Sequence, residues 1–298
     1  MELWVLFVLL AAAVQTLRFS LQKRLKGLGL STGGATFSRF LFAVPLAAGG
    51  VALLIGMRGH ALPVPGPAFW AYAIMGASTQ ILATFWTVAL FSERSFAVGI
   101  AFTKTETILV ALFSALLLGE AVSGLGIVAI LIGFCGVILL SRPPEGWGQG
   151  GVFNRATILG LLAGGAFGLS AIGYRAATQE IVSDDPLFRA AVALTAATGF
   201  QTLAMSAWLR WREPGEITKV LSAWRGTLLV GVTGMLGSLF WFAAFALQNA
   251  AYVRSAGQVE LIFSILVSTI VFREIPRLRE IAGMVLLVLS ILLIILQP

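Results

Sequence analysis

A chain of 298 residues that is 58% hydrophobic and only 11% charged cannot cover itself with polar groups in water, where a domain carries about 25% charged residues, so the soluble classes are excluded. The net charge of +7 lies mostly in short segments between apolar runs, which assigns it to orientation and lipid headgroups rather than to nucleic acid. The single cysteine, Cys135, lies in an apolar run and reads as a packing residue, and the single histidine, His60, lies in the polar segment 58–67; with one cysteine, no metal-ligand cluster and no phosphate-binding loop, an intramolecular disulfide, a metal centre and ordinary ATP binding are not expected.

A spanning helix needs about 20 mostly apolar residues, and the chain offers ten such runs. The first, 3–22, has no basic residues before it and carries Arg18, Lys23, Arg24 and Lys26 at and beyond its end, so it reads as a retained helix and not a cleaved signal. Next come 37–56, 68–90, 96–118 and 122–141, then a Pro- and Gly-rich linker, 142–155. The second half holds 156–176, 186–209, 227–248, 251–272 and 279–297, with a polar segment, Arg210–Trp224, after the seventh run. Every-second-residue alternation is missing, so these are helices and not barrel strands. Only Pro45 lies well inside a predicted helix, which predicts mostly continuous helices. Gly160, Gly164 and Gly168 in the sixth run, and Gly231, Gly234 and Gly237 in the eighth, predict close backbone packing. Trp4, Trp70, Trp147 and Trp224 lie near helix ends, as interfacial anchors do.

The halves repeat. When Lys104-Thr105-Glu106 is laid on Gln258-Val259-Glu260, Gly119-Glu120 falls on Arg273-Glu274, and Phe85-Trp86 matches Phe240-Trp241 after one residue of slippage. The expected organisation is a first five-helix repeat over 1–141, a linker over 142–155 and a second five-helix repeat over 156–298. A second copy of an odd-numbered unit enters the membrane from the opposite side. The fold class is therefore an all-α integral membrane protein with ten transmembrane helices in two inverted five-helix repeats, the arrangement of secondary transporters with a midplane solute site.

Most Lys and Arg residues fall in the loops after helices one, three, five, seven and nine. The positive-inside rule puts these loops in the cytoplasm and both termini outside.

Ionisable residues at membrane depth are costly and mark function. Glu106 and Glu260 lie near the middle of the fourth and ninth runs as repeat counterparts. Lys104 points to another side of its helix from Glu106, about 200° around, so it is placed to meet Glu260 or a substrate carboxylate. A substrate- or proton-binding site is expected from Glu106, Glu260, Lys104, Gln258, Gln80, Trp86, Trp241 and Tyr252, with Gln15, Thr103, Thr105 and Asn249 nearby. Polar anchors among aromatic walls suit a small organic solute. The competing reading is an ion-pair network that only pins helix four to helix nine. Glu120 and Glu274 end these helices and read as structural.

The paired halves, Gly119-Glu120, and the segment 111–140 with its weaker echo over 265–294 resemble the EamA family of the drug/metabolite transporter superfamily. The resemblance implies a secondary transporter, commonly an exporter, of amino acids, metabolites, drugs or sugar conjugates. Many relatives have a proline near the middle of helices four and nine, where this chain has Glu106-Thr107 and Glu260-Leu261. Relatives also commonly keep both termini in the cytoplasm, opposite to the charge count here. The expected protein is a proton-coupled carrier of the bacterial cytoplasmic membrane, not an enzyme. Its partners are a small organic solute such as an amino acid, metabolite or organic cation, a proton and the lipid bilayer. Nucleic acid and cofactors are not expected, and the chain is a monomer or homodimer. The alternative is a non-transporting membrane scaffold, which gains little from unpaired midplane charge.

Overall fold

The computed structural model describes residues 2–27, 29–61, 63–106, 109, 124–141, 154–248 and 250–295. Among these the regular structure is helical, with no strand. In chain order the helices are α1 (Leu3–Gly27), α2 (Thr32–Leu41), α3 (Ala43–Arg58), α4 (Pro67–Leu90), α5 (Phe96–Thr103), α6 (Gly124–Ser141) and α7 (Arg155–Gln179). They continue with α8 (Pro186–Arg212), α9 (Glu216–Ser222), α10 (Trp224–Leu247), α11 (Ala250–Ala256), a 3-10 turn (Gly257–Val259), α12 (Glu260–Ile270) and α13 (Leu278–Ile295). The protein is an integral, multi-pass membrane protein. Among the described residues six helical stretches are long and apolar enough to cross a membrane: 3–27, 32–58, 67–90, 155–179, 186–212 and 224–247. These correspond to the first, second, third, sixth, seventh and eighth of the ten expected runs. The linker 142–155, apart from its last two residues, and most of 107–123, with Glu120, lie outside the described residues.

The chain packs as two units, each drawing on both halves of the sequence: residues 1–81 with 169–257, and residues 82–168 with 258–298. In the first unit α1 packs most extensively on α10. Pro45 has no N–H to offer the Leu41 carbonyl, and the second apolar run divides there into α2 and α3 at Phe42. Ser31 caps α2, accepting from Gly34 N–H at 2.9 Å. Its own N–H donates to Glu216 at 2.6 Å, and its hydroxyl donates to Glu213. At the start of α8 the Asp185 carboxylate accepts from the N–H groups of Leu187 and Phe188 and from Arg58 and His60. Burial pushes this carboxyl up, but those hydrogen bonds outweigh it and hold it below its ordinary 3.8.

In the second unit α6 lies on α13, where Ser290 Oγ donates to the Ala129 carbonyl at 2.6 Å. Cys135, read from the sequence as a packing residue, is instead exposed on α6.

The expectation of continuous helices fails in both members of the repeat pair. The fourth run breaks after Thr103. Lys104 N–H reaches back to Ala101 and Thr105 N–H to Phe102, three residues each, before Leu109 N–H resumes four-residue bonding to Thr105. The ninth run breaks at the 3-10 turn Gly257–Val259, the positions that match 103–105. Proline is not the cause. At the first break the Thr103 and Thr105 hydroxyls donate to the Ile100 and Phe102 carbonyls, at 2.7 and 2.8 Å. Gly257 removes side-chain bulk where the Trp241 ring passes: a Cβ there would stand 2.6 Å from the ring.

Candidate functional site

In the second unit each break ends on a carboxylate: Glu106 follows the first and Glu260 opens α12 after the second. Lys104 forms an ion pair with Glu260, the two side chains 4% and 1% exposed. Glu106, Thr105 and Gln258 are buried on the same two breaks. Gly164 of α7 lies directly on the first break, where a Cβ would stand 2.5 Å from Thr105 Oγ1 and 3.0 Å from the Glu106 backbone nitrogen. Close approach of α7 therefore requires glycine at this position. Glu274, read as structural, accepts from Phe96 N–H at 2.9 Å and so ties the end of α12 to the start of α5. A carboxylate at a helix N-terminus is favourable there.

The first unit holds a second polar centre. Gln15, Arg39, Gln80, Tyr174, Trp241 and Arg254 line a cavity with about 10 Å³ of free volume, the space of about one water. Arg39 donates to Ser238 Oγ at 3.1 Å, and Gly234 makes room for its stem. Trp241 Nε1 donates to Gln15 Oε1 at 3.0 Å. The Arg254 guanidinium lies 5.1 Å from the Trp241 ring centre, a cation–π contact. Gln80 accepts from Ser170 at 2.8 Å, and Gln201 donates to Tyr174 at 3.0 Å. Among the described residues no Asp or Glu lines this cavity.

The expected site residues thus fall into two clusters. Lys104, Glu106, Gln258 and Glu260 share the two breaks, while Gln80 and Trp241 share the cavity. Trp86 is half-buried and belongs to the second unit. The Tyr252 side chain and Asn249 lie outside the described residues.

A model of the EamA-like transporter family matches residues 2–142 and again 154–296. The chain belongs to the EamA-like transporter family. At the level of that family it is a transporter of the drug/metabolite superfamily. Among solved structures, one described only as a crystal structure of a protein aligns with a TM-score of 0.61 at 16% identity, over 98% of this chain and 95% of that one. That likeness concerns the fold alone. No curated protein matches the chain.

Against this EamA frame, the residues that sequence reasoning missed are Arg39, Tyr174, Ser238 and Arg254. Arg39 lies in α2 and Arg254 in α11. Arg18 is 1% exposed within α1 and donates to Gln22 at 2.8 Å. The available signal was an arginine inside an apolar run, which is a functional suspect by default.

Proposed function

We propose that the chain is a secondary active transporter that exports a small organic solute by alternating access, with ten spans in an inverted repeat and a proton as coupling ion. The observation that carries this reading is the Lys104–Glu260 pair, which joins two helix breaks at repeat-equivalent positions. A buried ion pair is a poor way to stabilise a fold, since apolar residues of similar volume do as well or better. It is useful where contacts must exchange between two arrangements of a helix pair. Glu106 is 2% exposed beside this pair. A carboxyl at such depth lowers its desolvation cost by taking up a proton, so Glu106 carries the proton while Lys104 holds Glu260.

Solute release from proteoliposomes tests this reading. Liposomes containing the purified chain are loaded with a mixture of amino acids, organic acids and organic cations, and mass spectrometry follows what leaves. Selective, saturable loss of one class is expected. Loss of every class at the rate of protein-free liposomes contradicts the proposal.

A further inference from the structure

We infer that the cavity lined by Arg39 and Arg254 is the solute site and takes an organic anion, a carboxylate carried on a small aromatic or apolar body. The inference rests on the transport reading for its consequence and not for binding itself.

Three features converge on one cavity. The first is charge: two guanidinium groups line it, and no carboxylate does among the described residues. Charge at membrane depth is expensive, and two like charges facing one space add repulsion, so an entering anion meets a favourable field that a cation does not. Guanidinium groups also match the two oxygens of a carboxylate. The second is the polar complement, which can orient such a group. Gln15, Gln80, Ser238 and Tyr174 supply amide and hydroxyl groups to the same lining. The third is the apolar part. Trp241, Phe242 and Phe245 complete the lining, which suits a flat or apolar body.

With about 10 Å³ free, the cavity as it stands holds about a water and no solute. A ligand must displace part of this lining, which includes the Trp241 ring that passes close to Gly257. Gly257 opens the 3-10 turn that Glu260 follows.

The test compares three probes of nearly one shape on the purified, detergent-solubilised chain: phenylacetate, phenylacetamide and phenethylamine. Binding is read as the rise in apparent melting temperature with ligand concentration. Phenylacetate is expected to bind at least about tenfold more tightly than the neutral amide or the cationic amine. Arg254→Gln and Arg39→Gln are each expected to lose that preference, and Arg39→Lys to retain part of it. The wild-type comparison stands by itself if a variant fails to fold. A larger shift with phenethylamine, no shift with phenylacetate at millimolar concentration, or unchanged phenylacetate binding in a folded Arg254→Gln overturns the inference. The two readings separate cleanly. Phenylacetate binding with no solute release from proteoliposomes overturns transport and leaves the anion site standing. Release that phenethylamine inhibits and phenylacetate does not overturns the anion site and leaves transport standing.

Discussion

Lys104 and Glu260, 156 residues apart in the chain, meet as a buried ion pair across the two broken helices of the repeat. Removing one partner leaves the other buried without its counter-charge, which costs about 3–5 kcal/mol. Glu260→Leu and Lys104→Met should each lower the apparent melting temperature sharply. The double variant should recover most of the loss, because two apolar side chains of similar volume need no counter-charge. Thermal unfolding of the four proteins in detergent gives the coupling energy. Additive losses would show that the pair contributes nothing as a pair.

Gly164 should be far less replaceable than its neighbour Gly165. Gly164→Ala puts a methyl 2.5 Å from Thr105 Oγ1 and 3.0–3.1 Å from backbone atoms of Glu106 and Thr103. Overpacking of this kind costs about 1–3 kcal/mol. Its neighbour Gly165 would gain only an ordinary contact, 3.7 Å to Leu109, so Gly165→Ala should be close to neutral. Paired melting temperatures check this, and equal losses would contradict the packing described for α7.

Arg273 adopts φ 56°, a left-handed conformation, in the turn that follows α12. The repeat places Gly119 at the matching position of the first half, and glycine takes this conformation at no steric cost. Arg273→Gly should therefore raise stability by about 1 kcal/mol, while Arg273→Ala should not. A melting temperature for Arg273→Gly at or below wild type would contradict this.

These examples show what the sequence carried and what it did not. The equivalence of Glu106 and Glu260 was legible because an internal repeat aligns residues without knowledge of packing. The contact of Lys104 with Glu260 was one of two readings, since helical periodicity says where a side chain points and not what it meets. The breaks were illegible by the usual signal, proline. What accompanies them is visible only in the packing: threonine hydroxyls on the Ile100 and Phe102 carbonyls, and a tryptophan ring passing close to Gly257. The arginine-lined cavity was missed for another reason. Counting charges by loop assigns Arg254 to orientation, and only packing tells whether such a residue meets headgroups or faces a cavity.

Asp185 should make stability pH-dependent at the start of α8. Its carboxyl is held below 3.8 by Arg58, His60 and two backbone N–H groups. A depressed carboxyl contributes stability that is present above its unfolded value and is lost as pH falls through the lower folded value. Asp185→Asn keeps an acceptor for the backbone but removes the charge. It should melt below wild type at pH 7, by no more than about 1 kcal/mol because Arg58 is half exposed. The gap should close as pH drops below about 4. A gap that widens in acid would contradict the assignment.

The central claim, that the carboxylates at the two breaks couple solute movement to protons, is tested most directly by gradient-driven flux. The solute returned by the liposome release experiment is followed in proteoliposomes with and without an imposed pH gradient. Wild type, Glu106→Gln and Glu260→Gln are compared after matching for folded protein. The account predicts that the gradient drives accumulation in wild type and not in Glu106→Gln, while exchange of solute without a gradient survives in that variant. Accumulation in both Gln variants with the pH dependence of wild type would contradict it and leave these acids as structural parts of the helix pair.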